Sequence, residues 1–549
     1  MTKPLLDIRN LYVALPPGSD RPHAVEDVSF SVGDGEIVCV VGESGSGKSL
    51  TARAVMGLLP EPKVRASEGE IIFEDRDLLQ LPRNERRMLR GEKLSMIFQE
   101  PMTALNPLMT VGQQIEEVLL VHKPNLSRSE RYAKVVALLE EVHLPEPPRI
   151  AASYPHQLSG GQRQRAMIAM ALILDPKLLV ADEPTTALDV TTQAQILKLI
   201  SELQGRHGTG VMFITHDFGV VAEVAHRIVV MQHGRVVEAG PASSILDRPA
   251  EPYTKALIAA IPSLSPPPSR IDPAAKSVLK VENLSKTYRT GGGGLFGKKR
   301  EVHAAKDVNF TLQAGETLGI VGESGSGKTT VARCIVRLLQ PEVGKIDLGG
   351  LDLAPMSRRQ LRPHRKRVQM VFQDPFASLN PRRTVGDILA EGPITHGESR
   401  SSAHARGREL LSLVGLDPKA ADRFPHEFSG GQRQRIGLAR ALTLDPEILV
   451  ADEPVSALDV SVQAQVLKLI ADIRDRLDLS ILFITHDLRV AAQICDRIAV
   501  MQRGEVVEAG EVATVFADPQ HAYTRELLAS IPGKDWTPPD LMGALPAAE

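Results

Sequence analysis

A chain of 549 residues is too long for one ordinary core, so two large domains are expected. Its 43% hydrophobic and 24% charged residues are soluble-globular proportions, and a net charge of −3 excludes the basic excess of a chain that coats nucleic acid or an anionic membrane. Its apolar runs fall far short of the roughly 20 residues of a spanning helix, and three scattered cysteines, Cys39, Cys334 and Cys495, suggest buried thiols in a reducing cytosol rather than disulfides, zinc or iron–sulfur.

The start, "MTKPLLDIRN", has charges where a signal peptide would carry its apolar core. Strand-like "LDIRNL" (6–11) is followed by "EIVCVV" (36–41), which reads as a buried parallel strand. It runs through "GESGSGKS" (42–49) into a predicted helix, "SLTARAVMGLL" (49–59). Gly42, Gly45 and Gly47, spaced by Glu43, Ser44 and Ser46, let backbone N–H groups curl around phosphate oxygens at the positive end of that helix. Lys48 would reach the β- and γ-phosphates, and the hydroxyl of Ser49 would hold Mg²⁺. Gln99 follows an apolar strand and would ligate Mg²⁺ or its water. The strand "LLVADE" ends in two carboxylates: Asp182 would stand one water behind Mg²⁺, and Glu183 would orient or deprotonate the attacking water. His216 ends the strand "GVMFIT" and is read as a γ-phosphate contact.

All of this is written twice. "GESGSGKT" (322–329) repeats the first phrase 322 − 42 = 280 positions on, with Gly322, Glu323, Ser324, Gly325, Ser326, Gly327, Lys328 and Thr329 in the same roles. Gln373, Asp452, Glu453 and His486 follow in unchanged order, at offsets of 274 for the glutamines (373 − 99) and 270 for the acids (452 − 182). Repeats this long are domains rather than solenoid units. The expected borders are a first domain at 1–250, an appendix at 251–262, a Pro/Ser-rich exposed linker at 263–277, a second domain at 278–518, and a second appendix at 519–549 that ends in a disordered tail from 533.

Between glutamine and acids, each copy carries "SGGQ": Ser159, Gly160, Gly161 and Gln162, then Ser429, Gly430, Gly431 and Gln432. The order phosphate loop, glutamine, "SGGQ", Asp-Glu, "ALD" and histidine resembles the ABC-type ATPase. That resemblance implies an α/β fold of two tandem ABC-type P-loop ATPase domains. Each would have a RecA-like α/β core, an antiparallel β subdomain and a helical signature subdomain. It also implies two composite ATP sites, with the "SGGQ" helix tip of one half capping the γ-phosphate held by the other. A helix N-terminus carries about half a positive charge, which suits that role. Asp189 and Asp459 would lie at the shared seam, and both sites are expected to hydrolyse ATP. Tyr288 matches the ring that the family stacks on adenine. Leu15 falls there in the first half, with Tyr12 on the other strand face, so the first site is expected to bind ATP more weakly, by about the 1–3 kcal/mol of one stack.

The appendices "EPYTKALIAAIP" (251–262) and "HAYTRELLASIP" (521–532), the "SLNP" phrase and the "GLFGKK" insertion (294–299) are similar to those of ATPases that power peptide and nickel importers, including fused glutathione and microcin C members. Neither appendix keeps the full "HPYT" phrase. The resemblance implies two transmembrane permease subunits, an extracytoplasmic solute-binding protein, no direct nucleic-acid contact, and a peripheral place on the cytoplasmic face of a bacterial inner membrane. Two other readings are a soluble tandem ATPase acting on ribosomes or DNA, and the ATPase of a sugar or nickel importer. The short proline-rich linker and the missing zinc-type cysteine sets disfavour the first, and the two peptide-type appendices disfavour a sugar importer.

Overall fold

The computed structural model describes residues 3–185, 188–267, 270, 271, 274–290, 300–456 and 458–539. The "GLFGKK" insertion, Ala187 and Ala457 of the "ALD" phrases, and residues 540–549 lie outside the described residues.

Among the described residues each half holds two sheets. In the first half a four-stranded antiparallel sheet orders as His23–Val32, Leu6–Ala14, Arg65–Phe73 and Arg76–Asp77. A six-stranded sheet orders as Arg235–Pro241, Arg227–Gln232, Ile37–Val41, Gly210–Ile214, Leu178–Asp182 and Leu94–Ile97. Its last five strands are parallel, and only Arg235–Pro241 runs against its neighbour. The three central strands are buried throughout, as an unbroken apolar run on a sheet covered on both faces requires. Successive side chains on Ile37–Val41 serve opposite layers: Val38 and Val40 pack toward the antiparallel sheet, while Ile37, Cys39 and Val41 face the helices. The second half repeats both sheets in the same strand order, with Thr317–Val321 in the place of Ile37–Val41.

Helices Val111–His122, Arg128–Glu141 and Gly160–Leu172 form most of the helical subdomain. Each starts behind a hydroxyl cap with a reciprocal Gln or Glu three residues on: Thr110 with Gln113, Ser127 with Glu130, and Ser159 with Gln162. The helix expected over 49–59 is shorter. It spans Lys48–Val55 and stops because Gly57 takes a left-handed φ of 62°.

The halves interlock. Val190 of the first half packs within the second half's core, and Leu264 of the linker packs against it. The linker is therefore laid along the second half, where Arg270 also pairs with Asp475 at 3.2 Å. The tail expected to be disordered from 533 begins ordered: Gly533–Trp536 forms a turn, and the Trp536 ring lies against the first half's core. Its prolines and charges disguise one large apolar ring that has a face to bury. Among the described residues no helix is long and apolar enough to cross a membrane. All three cysteines are buried, and burial pushes their thiols up, Cys334 to about 11.

Candidate active site

The phosphate loops are held open by glycine. A Cβ on Gly42 would stand 2.1 Å from Met231 O, and one on Gly327 1.9 Å from Ala304 O, at φ values of 144° and 108°. Lys48 Nζ, buried, donates to Gly42 O at 2.7 Å and Glu43 O at 2.8 Å; Lys328 does the same to Gly322 O and Glu323 O. Burial draws both ammonium groups below their usual range, opposed by the Glu and Asp carboxylates around them. Among the described residues Ser326 Oγ is buried without a partner, a polar atom suited to an incoming oxyanion. Arg21, which no motif marks, donates to Gly45 O at 2.6 Å.

Opposite each loop, Ser49 Oγ donates to Asp182 Oδ1 at 2.9 Å and Thr329 Oγ1 to Asp452 Oδ1 at 3.1 Å. These paired hard oxygens fit Mg²⁺. Burial raises both aspartates, against the hydroxyl bond that lowers them. The next residue departs from ordinary backbone: Glu183 and Glu453 have φ of 48° and 46°, a left-handed turn that swings each carboxylate off the end of its strand. Gln99 Nε2 donates to Glu183 Oε2 at 2.9 Å, and His216 Nδ1 lies 3.4 Å from Glu183 Oε1. Gln373 and His486 hold Glu453 in the same way, at 2.8 and 3.3 Å. With its amide nitrogen engaged, each glutamine has only its oxygen to offer a metal. Burial draws the histidines down, but the bonded glutamates outweigh it and hold both above the usual imidazole range. Glu453 is pushed up by burial, yet His486, Lys328 and Gln373 together hold it below the usual carboxylate range. Both histidines line one cleft along the seam, shared with Asp217, Asp487 and the appendix ends Pro262 and Pro532.

Asp189 and Asp459 lie at that seam. The Asp459 charge acts on Lys48 and His216 of the other half, and the Asp189 charge on Lys328. Two residues on, Thr191 hydrogen-bonds to the Glu323 carboxylate and Ser461 to the Glu43 carboxylate. The signature helices pack directly behind these contacts. A Cβ on Gly161 would stand 2.6 Å from Thr192 Cγ2, and one on Gly431 2.4 Å from Val462 Cγ1. The second glycine of "SGGQ" is thus the residue that lets the signature helix close on its neighbour. Ser159 and Ser429 cap those helices at the exposed tip.

Tyr288 is 39% exposed on the strand Ser277–Thr290. Leu15 follows the end of strand Leu6–Ala14, its N–H bonded to Pro22 O at 2.9 Å, while the Tyr12 ring meets His23 edge-on at 5.5 Å. Sequence reasoning missed Arg21, Thr191, Ser461 and the appendix tyrosines Tyr253 and Tyr523. A signal was present for four of them: a hydroxyl follows "ALDV" by one residue in both copies, and both appendices read "YT".

The family description "ABC transporter" matches residues 25–186 and 305–456, once in each half. The chain belongs to the ABC transporter family of ATPases. A second description, "Oligopeptide/dipeptide transporter, C-terminal region", matches residues 237–300 and 507–544, which take in both appendices. The peptidoglycan transport ATP-binding protein YejF of Agrobacterium fabrum is 46% identical over 531 residues, covering 96% of each chain. The glutathione import ATP-binding protein GsiA of Shigella dysenteriae serotype 1 and that of Escherichia coli O157:H7 are each 46% identical over 558 residues, covering 96% of this ABC ATPase and 89% of theirs. Both tandem halves therefore fall within the alignable length.

Proposed function

We propose that this ABC ATPase powers a peptide-type importer through two composite ATP sites, seated on the cytoplasmic face of a bacterial inner membrane beneath two permease subunits. The observation that carries this reading is the pairing of each phosphate loop with the opposite half, through Thr191 to Glu323 and Ser461 to Glu43. A site assembled that way is complete only when the halves are closed, so closing and hydrolysis become one cycle.

The residues divide the work as follows. Backbone N–H groups of 42–49 and 322–329, with Lys48 and Lys328, cradle the phosphates. Mg²⁺, held by Ser49 or Thr329 with Gln99 or Gln373 and backed by Asp182 or Asp452, would offset phosphate charge. Glu183 and Glu453, aimed by their left-handed backbone and by the bonds from Gln and His, orient water and accept its proton. His216 and His486 keep Nε2 for the terminal phosphate while Nδ1 holds the glutamate. The "SGGQ" tips supply the facing helix N-termini, and Asp189 and Asp459 couple the two sites. Tyr288 offers its exposed ring to adenine.

The transported solute is a short peptide or a peptide-containing molecule. The two appendices support this, as do relatives named for glutathione and peptidoglycan transport. An extracytoplasmic binding protein would deliver it. Replacing Glu183→Gln and Glu453→Gln together is expected to abolish ATP turnover while ATP stays bound to a closed chain. Undiminished turnover in the double variant would overturn the assignment.

A further inference from the structure

Both appendices reach into the phosphate loops at the same point. Glu43 N–H donates to Tyr253 Oη at 3.1 Å, and Glu323 N–H donates to Tyr523 Oη at 3.1 Å. A phenol that accepts an N–H still has its own proton to give, and the carboxylate of the same glutamate is the acceptor beside it. That carboxylate in turn accepts the hydroxyl of the opposite half, Ser461 on Glu43 and Thr191 on Glu323. Appendix, phosphate loop and opposite half are joined through one acidic side chain, and the arrangement occurs twice.

A carboxylate inside a phosphate loop is electrostatically awkward, because it would repel the triphosphate that the loop must hold. Held by a tyrosine at its backbone N–H, with the phenol beside its carboxylate, the glutamate reaches across the seam to the opposite half. There it becomes the attachment point for the other half. We infer that Tyr253 and Tyr523 are positioning residues for closure, each aiming a phosphate-loop glutamate at the hydroxyl of the opposite half. The appendices are thereby part of the ATP-driven clamp. Burial raises both phenols, Tyr253 to about 12, so each keeps its proton through the physiological range. Phenylalanine fills the same space without the hydroxyl that accepts the glutamate N–H, and Tyr→Phe is the clean test.

This inference rests on the composite-site reading above. The test uses the full chain carrying Glu183→Gln and Glu453→Gln, with one spin label placed at an exposed introduced cysteine on each half; the three native cysteines are buried. The ATP concentration for half-closure is read from the inter-label distance. Adding Tyr253→Phe and Tyr523→Phe is expected to raise it roughly tenfold, the scale of losing hydrogen bonds to charged groups. Glu43→Ala with Glu323→Ala should raise it similarly, and all four changes together should add no more than about twofold further. Tyrosines that only dock the appendices would instead give effects that multiply with those of the glutamates. Multiplying effects, or no shift from Tyr→Phe, would overturn the inference and leave the composite sites standing. A parent chain that binds ATP without closing would overturn both.

Discussion

Thr191, at the start of a first-half helix, donates its hydroxyl to the Glu323 carboxylate in the second half's phosphate loop. Ser461 and Glu43 make the same contact in the opposite sense. Two reciprocal bonds of this kind define a pseudo-twofold seam within a single chain. The tether removes much of the cost of bringing the halves together, because their effective concentration is about millimolar or higher.

The His–Glu pairs give a pH signature. Histidines held above their ordinary value contribute stability that is fully present below about pH 6.5 and lost as pH rises through the raised value. Glu453, held below its ordinary value, contributes stability present above about pH 4.3 and lost as pH falls through the depressed value. Nucleotide-free protein should therefore lose thermal stability on going from mildly acidic to alkaline pH. In His216→Gln with His486→Gln that slope should flatten, as melting temperatures across a pH series would record.

Close packing behind the signature helix predicts an overpacking cost. Gly431→Ala brings a methyl against Val462 Cγ1, whose β-branched side chain has little freedom to turn away. The variant should lose about 1–3 kcal/mol of stability. Adding Val462→Ala should recover most of the loss, measured as the shift in denaturation midpoint.

Trp536 is the only tryptophan in the chain and reports the crossing of the C-terminal turn onto the first half. Arg489 ties that turn down, donating to Pro532 O at 3.0 Å and Gly533 O at 3.1 Å, and it also reaches Pro262 O of the first appendix at 3.4 Å. Gly219, the counterpart 489 − 219 = 270 positions earlier, leaves room for Pro532, whose carbonyl oxygen would lie 2.6 Å from an added Cβ. Arg489→Ala should red-shift Trp536 emission and open it to iodide quenching.

The parallel strands and the glycine-rich loops at 42–49 and 322–329 were legible because local chemistry dictates them. An apolar run such as "LLVA" calls for burial, and glycines at 42 and 47 serve a loop that a Cβ would jam. The helix end at Val55 was overestimated because Gly57 lies inside an otherwise apolar stretch and its left-handed turn is invisible to periodicity. The Tyr253–Glu43 bond spans 210 positions and the Ser461–Glu43 bond 418, so no local pattern announces either. The ordered Gly533–Trp536 turn was hidden for the same reason: its binding face belongs to the first half.

The most direct test of jointly built sites is a cryo-EM map of the full chain with Glu183→Gln and Glu453→Gln, trapped with ATP and Mg²⁺. The γ-phosphate on Lys48 should lie within hydrogen-bond reach of Ser429, and that on Lys328 within reach of Ser159. A map in which either phosphate is enclosed by residues of its own half alone would contradict the account.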